Sequence, residues 1–91
     1  MSAAVRHTTA ERLHRAGCPE RFVGGIERYV EGALLPGGFL QAVLAADLRE
    51  AVRRADPTVT LPELGDLVTA IDVVVPAEMR GSWAALARRG S

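Results

Sequence analysis

Apolar residues recur along this chain every three to four positions, the spacing that places them on one face of an α-helix. The pattern is clearest between Ile26 and Asp56, where two amphipathic segments lie on either side of Pro36-Gly37-Gly38. Proline cannot continue a helix and glycine does not favour one, so these three residues indicate a turn. A connection this short joins helices that pack side by side, and the sequence therefore predicts a central antiparallel helical hairpin.

Signals for helix starts and ends divide the whole chain into four to five short helices. Thr8 and Thr60 each precede a glutamate by three positions, which is the capping-box pattern at a helix start. The predicted helices run from Thr9 to Ala16, from Pro19 to the turn, from Gly38 to Ala55, from the Thr60 cap to Val74 and from Trp83 to Arg89. We interpret residues 1–91 as one small helical domain, with residues 1–18 as an N-terminal extension helix whose first residues, Met1–His7, are frayed.

Each of the three longer predicted helices has an apolar face that we expect to be buried. In chain order the faces comprise Phe22, Val23, Ile26, Tyr29, Val30, Ala33 and Leu34; Leu40, Val43, Leu44, Leu48, Ala51, Val52 and Ala55; and Leu64, Leu67, Val68, Ile71, Val74 and Val75. Gly25 and Gly32 lie on a flank of the second helix, where each costs about 1 kcal/mol relative to alanine. Close packing of a neighbouring helix would recover that cost, and a groove for a partner or a hinge is the alternative.

Charged residues interrupt the apolar face of the third predicted helix. Asp47 falls between apolar positions, and Glu50 precedes Arg54 by four residues, which is the favourable order for a helical ion pair. Because Arg54 offers both carboxylates an electrostatic partner, we expect either a structural polar seam of Asp47, Glu50 and Arg54 or an Asp47 that accepts bonds from the start of a neighbouring helix. Both are favoured over a catalytic acid–base pair.

Composition agrees with an all-α fold. Hydrophobic residues make up 48% of the chain and aromatic residues 4%, so the core must be built from Leu, Val, Ile and Ala, which suits closely packed helices. The 11 basic and 11 acidic residues balance. The chain therefore has no net positive charge that would attract it to nucleic acid or an anionic membrane. All basic residues are arginine, which a GC-rich genome explains; a surface selected for bidentate contacts is the alternative.

The chain carries no recognisable catalytic, metal or cofactor motif. His7, His14 and Cys18 resemble a ligand trio in spacing, but Gly17 breaks the helix between the last two. The single cysteine excludes an internal disulfide and fits a reducing compartment. No apolar run approaches the ~20 residues needed to span a bilayer. We therefore expect a non-enzymatic cytoplasmic protein that uses no metal or cofactor.

Five residues are difficult to explain by folding alone and are the candidates for partner binding: Tyr29, Arg49, Arg53, Arg54 and Trp83. Tryptophan, tyrosine and arginine are the residues most enriched at the hot spots of protein interfaces. Nucleic acid, contacted by the arginine face, is the alternative partner, and the nearby Glu50 disfavours it. Apolar surface left over by so small a core also favours a two-fold homodimer.

A set of shared motifs extends over roughly residues 26–89. It comprises Tyr29, Gly32, Pro36-Gly37-Gly38-Phe39-Leu40, Ala42-Val43-Leu44, Asp47-Leu48, Ala51, Arg54-Ala55-Asp56, Leu67-Val68, Pro76 and Gly81-Ser82. These residues resemble a family of small proteins found in bacteriophages and prophages. The chain departs from the family at Arg80-Gly81-Ser82, where Trp-Gly-Ser is usual, and Trp83 stands at a shifted position. The resemblance implies a phage accessory protein that binds a host or phage protein in the host cell. An inhibitor of host defence, such as an anti-CRISPR-like factor, is one concrete form.

Overall fold

The computed structural model describes residues 7–90, and within that range all regular structure is helical. It comprises α1 (Thr9–Arg15), α2 (Glu20–Gly32), α3 (Gly38–Leu44), α4 (Leu48–Arg54), α5 (Leu61–Val74), one turn of 3₁₀ helix (Ala77–Met79) and α6 (Trp83–Gly90). The predicted all-α bundle is confirmed. The frayed end predicted for Met1–His7 falls, except for His7, outside the described residues.

Two threonines begin helices as predicted. At Thr8 the capping box is complete, because its hydroxyl accepts from the Glu11 amide at 3.1 Å and the Glu11 carboxylate accepts from the Thr8 amide at 2.9 Å. At Thr60 only the first bond forms, at 3.2 Å from the Glu63 amide. The carboxylate of Glu63 instead accepts from Arg21 of α2, so the same motif ties the starts of α2 and α5 together.

The single long helix predicted from Gly38 to Ala55 is wrong. The chain breaks at Ala45–Asp47, and Ala46 adopts a left-handed conformation with φ of 58°. The amide of Asp47 donates to the carbonyl of Ala42 at 2.9 Å, and that of Ala46 to Val43 at 3.0 Å, which together form a Schellman motif. The Asp47 carboxylate then accepts from the Glu50 amide at 3.1 Å and begins α4.

The same motif also ends α1, where the left-handed residue is Gly17, with φ of 87°. Glycine is the usual residue in this conformation, so the end of α1 was predictable from the sequence. An alanine gives no such signal, and the break in the middle of the long apolar pattern was missed for this reason.

The break redirects α4 and changes which side chains reach the core. Of the α4 residues expected to be buried, Ala51 is buried, whereas Leu48 is 70% exposed and Val52 is 63% exposed. On α5 the predicted buried face also departs at Val68, which is 42% exposed. Of these exposed side chains, Leu48 and Val68 line the same surface pocket.

The core joins α1, α2, α3, α5 and α6. The fully buried large side chains are Leu13, Ile26, Tyr29, Leu44 and Leu67. The segment expected to be an extension helix thus contributes Leu13 to the same core. Close approach at Gly25 is confirmed, because a Cβ there would lie 3.0 Å from Leu40 of α3. At Gly32 the nearest atoms belong to Leu34, and no other helix of residues 7–90 comes within 4 Å of the position that its Cβ would occupy.

Two arginines near the end of the chain bind the carbonyl ends of other helices. Arg80 donates to the carbonyls of Val75, at 2.9 Å, and Asp72, at 3.3 Å, at the end of α5. Arg89 donates to the carbonyls of Tyr29, at 3.3 Å, and Val30, in the last turn of α2. Cations at helix C-termini satisfy carbonyls that lack a partner and oppose the helix dipole. These side chains therefore serve the fold.

Replacing the left-handed alanine tests the break in the long helix. We expect Ala46→Gly to raise the free energy of unfolding by about 0.5–1 kcal/mol, because glycine adopts positive φ without the steric cost of a Cβ atom. The control is Ala87→Gly, an exposed position inside α6, which should lower it by about 1 kcal/mol. Urea unfolding of both variants measures the difference. A loss of stability in Ala46→Gly would contradict the break and support a continuous helix.

Candidate interaction site

Asp47 connects the start of α4 to the start of α6. One carboxylate oxygen caps α4, and the other accepts from the indole N–H of Trp83 at 2.8 Å. The ring of Trp83 therefore cannot rotate freely although 37% of the residue is exposed. The sequence placed Asp47 on a buried face, whereas the structure places it at a helix start beside a tryptophan 36 residues later.

Arg54 completes this cluster from the far end of α4. Its guanidinium lies over the Trp83 ring, with the central carbon 5.3 Å from the ring centroid, at cation–π distance. Its Nε is 3.2 Å from a Glu50 carboxylate oxygen, and its Nη1 donates to the carbonyl of Gly38 at 3.4 Å. The three residues of the expected polar seam, Asp47, Glu50 and Arg54, thus lie together and share Trp83 as a fourth member.

The electrostatics of the cluster favour an ionised Asp47. The Trp83 indole N–H, the Glu50 amide and the nearby guanidinium groups of Arg54 and Arg49 hold the pKa of this carboxyl below its usual value of 3.8. A carboxylate that stays ionised at neutral pH cannot donate a proton as a general acid. Its chemistry here is that of a hydrogen-bond acceptor that positions a tryptophan.

Four of the five predicted partner-binding residues lie on or beside α4. Arg53 has 70% of its side chain exposed and lies 3.6 Å from Glu50, and the Arg54 side chain is 41% exposed. Arg49 is exposed and makes no hydrogen bond or ion pair within residues 7–90. We call Arg49, Arg53, Arg54 and Trp83 the basic–aromatic face.

Tyr29, the fifth predicted residue, does not belong to this face. It has no exposed surface, and its hydroxyl donates to the carbonyl of Met79 at 2.5 Å. Burial raises the pKa of the phenol, which therefore stays protonated and able to donate. The expectation that Tyr29 contacts a partner is wrong, because the ring occupies the core between α2 and the 3₁₀ turn.

An apolar groove lies beside Asp47 and is lined by residues of α3, α4 and α5. Its volume is about 180 Å³. Its apolar lining includes Ala42, Leu44, Leu48, Ala51, Val68 and Ile71, and its polar lining includes Asp47, Asp72 and Arg80. Sequence reasoning missed this groove because it treated Leu48 and Val52 as part of a continuous buried face. The signal that could have revealed it is Asp47-x-x-Glu50, which has the spacing of a helix start.

The surroundings of His14 and Cys18, two members of the trio with ligand-like spacing, bear on metal binding and thiol chemistry. No group of three His, Cys, Asp or Glu residues in the described range could hold a metal ion. His14 contacts the Glu20 side chain, and burial raises the pKa of the Cys18 thiol to about 11. A thiol with so high a pKa is a poor nucleophile at neutral pH. No helix between residues 7 and 90 is long and apolar enough to cross a membrane.

Comparison with known proteins identifies no relative of this chain. No protein-family model, curated protein or solved structure matches the chain. The functional argument below therefore starts from the basic–aromatic face and the groove beside it.

Removing the Asp47 carboxylate tests its two bonds. We expect Asp47→Ala to lower the melting temperature by about 4–8 °C, because α4 loses its cap and Trp83 its acceptor. Trp83 fluorescence should shift to the red as the ring becomes more mobile. Glu78→Ala removes an exposed carboxylate that makes no hydrogen bond or ion pair within the described chain, and it should change neither signal. Unchanged fluorescence in Asp47→Ala would contradict the link to Trp83.

Acid should weaken the same link. Because the folded pKa of Asp47 lies below the unfolded value, its stabilisation is present at neutral pH and is lost as the pH falls through the folded pKa. We expect the stability difference between the wild type and Asp47→Asn, which retains a capping oxygen, to shrink as the pH falls from about 5 to about 2. Urea unfolding across this range measures it. If the difference in the free energy of unfolding stays constant with pH, the ionised Asp47 carboxylate does not stabilise the fold.

Proposed function

We propose that this protein is a small non-enzymatic interaction protein that binds an acidic surface of another protein through the basic–aromatic face. The observation that carries the proposal is the partly exposed ring of Trp83, held by Asp47 and covered on one side by Arg54. A side chain already fixed in one conformation loses little entropy on binding. Tryptophan and arginine are also the residues whose truncation most often costs affinity at interfaces.

The arginines of this face differ in how far the fold uses them. Arg54 is engaged by Glu50, Trp83 and Gly38, whereas Arg53 has a single carboxylate contact at 3.6 Å. Arg49 makes no hydrogen bond or ion pair in residues 7–90. The exposed guanidinium groups of Arg49 and Arg53 can form bidentate bonds to partner carboxylates, while Arg54 and Trp83 supply a rigid platform beside them.

The resemblance of residues 26–89 to small phage and prophage proteins supports a phage origin for this activity. A phage accessory protein meets host proteins after infection, and an inhibitor works by occupying a surface that a host factor needs. We propose, as the concrete form, an inhibitor of a host defence protein, such as an anti-CRISPR-like factor. The protein would then act in the cytoplasm of the host cell.

Nucleic acid is the alternative partner, because Arg49 and Arg53 lie one turn apart on an exposed helix. The Glu50 carboxylate contacts both Arg53 and Arg54, however, which lowers the positive potential of the cluster. Phosphate binding releases counterions and weakens steeply as salt rises. Fluorescence polarisation with a labelled DNA duplex at low and moderate salt separates the two functions, and tight binding that disappears with salt would favour the nucleic-acid alternative.

Charge reversal at the most exposed arginine tests the basic–aromatic face. We expect Arg53→Glu to weaken binding to the host partner by at least about tenfold, because a repulsive contact replaces an attractive one. The partner is obtained by affinity capture from a lysogenic host extract, and its affinity is then measured by titration with purified components. The helical circular dichroism of the variant should match that of the wild type.

The matched control is Arg15→Glu. Arg15 and Arg53 are both exposed and both lie in the last turn of a seven-residue helix, so the two variants change net charge and helix dipole alike. Arg15→Glu should retain wild-type affinity. Wild-type affinity in both variants would show that Arg53 lies outside the interface. An equal loss of affinity in both variants would show that only the net charge matters.

A further inference from the structure

The three polar side chains that line the apolar groove are already bonded within the fold. The two carboxylate oxygens of Asp47 accept from the Glu50 amide and from the Trp83 indole. The Asp72 carboxylate lies 3.4 Å from a guanidinium nitrogen of Arg80, which also donates to two backbone carbonyls. The other lining residues are aliphatic, apart from one glycine. A group that enters the groove therefore meets apolar surface and polar side chains that already have partners, which favours an apolar occupant.

The size of the groove favours a single side chain over a small-molecule ligand. Its volume is about 180 Å³, whereas pockets that hold cofactors and drug-sized ligands have volumes of roughly 300–1,000 Å³. Two of its lining side chains, Leu48 and Val68, are exposed in the isolated chain. One large apolar side chain of another protein would cover both, in the way that anchor residues fill pockets at protein interfaces.

A cation without a bonding partner lies beside the groove on α4. Arg49 lies three residues before the exposed Val52, so the two side chains are neighbours on the helix surface, and Val52 follows Leu48 by one turn. Arg49 is exposed and makes no hydrogen bond or ion pair in residues 7–90, although its charge acts on the Asp47 carboxylate. Because Asp72 is paired with Arg80, the charge of Arg49 favours an anionic group next to the apolar one.

We propose that the partner segment bound by this protein is acidic and amphipathic, with a large apolar side chain that enters the groove and a neighbouring carboxylate that pairs with Arg49. The inference rests on the proposed function, since Arg49 belongs to the basic–aromatic face, and it extends that face. Asp47 lines the groove and also holds Trp83, so the two surfaces meet at this residue. An amphipathic segment that lays its apolar side into a groove is a recurring mode of peptide recognition.

Synthetic peptides test the chemistry of the occupant. The probe is a fluorescein-labelled peptide in which leucines alternate with pairs of glutamates. One companion peptide has serine in place of every leucine, and the other has glutamine in place of every glutamate. We expect fluorescence polarisation to show saturable binding of the probe to the full chain, and each companion to bind at least about tenfold more weakly. A probe that does not bind, or a serine companion that binds equally well, overturns the proposal.

A double-mutant cycle tests whether the carboxylate pairs with Arg49. Arg49→Ala should weaken binding of the glutamate probe by about fivefold and leave binding of the glutamine companion unchanged, because only the probe has a carboxylate to lose its partner. The matched control is Arg88→Ala, since Arg88 of α6 is also exposed and makes no hydrogen bond or ion pair in the described range. It should change neither affinity. An equal loss for both peptides in Arg49→Ala would overturn the pairing.

A cation placed in the groove tests its use by the host partner. Val68→Arg adds a charge that attracts an acidic protein but obstructs the groove, and we expect it to weaken binding of the purified host partner by at least about tenfold. The helical circular dichroism should not change. Val73→Arg is the matched control, because Val73 is a 65%-exposed valine of α5 outside the groove lining, and it should not weaken binding.

The outcomes separate this inference from the proposed function. If Val68→Arg binds the host partner as well as the wild type does and Arg53→Glu binds weakly, the groove proposal is wrong and the proposed function stands. If Arg53→Glu binds as the wild type does, the proposed use of the basic–aromatic face is wrong. A wild type that dimerises in sedimentation velocity, with a dimer lost in Val68→Arg, would identify a second copy as the occupant and overturn the inference.

Discussion

The junction at Ala45–Asp47 is the constraint on which the arrangement of this protein depends. Within three residues the chain ends α3 in a left-handed conformation, begins α4 with a carboxylate cap and fixes the Trp83 ring of α6. The same carboxylate performs the last two tasks, because each of its oxygens accepts a different donor. In a continuous helix the Glu50 amide would bond to the Ala46 carbonyl, and the Asp47 carboxylate would have no helix start to cap.

The junction also explains how a small core coexists with exposed aliphatic residues. Turning α4 sends Ala51 inward and leaves Leu48 and Val52 at the surface, although their spacing is that of a buried face. Burying a Leu or Val side chain contributes roughly 1.5–3 kcal/mol, so the monomer forgoes stability that a continuous amphipathic helix could have gained. Surface of this kind is consistent with selection for binding as well as for folding.

The arginines divide into those that the fold uses and those that remain free. Arg80 and Arg89 bind helix carbonyls, and Arg21 joins α2 to α5 through Glu63. Arg49 makes no hydrogen bond or ion pair within the described chain, and Arg53 has one carboxylate contact there, with Glu50 at 3.6 Å. All basic residues are arginine, but they do not share one role. The role of each depends on which carbonyl or carboxylate its guanidinium contacts.

By itself, the sequence determined the helical class, most helix ends and much of the core, because capping residues, glycine stops and three-to-four spacing act over a single turn. Thr8, Gly17 and Thr60 mark ends that the structure confirms. Only the tertiary structure decided that Ala46 breaks a helix, that Tyr29 is buried and that Asp47 meets Trp83. An alanine carries no local signal for positive φ, and the other two outcomes depend on contacts between residues 36 and 50 positions apart.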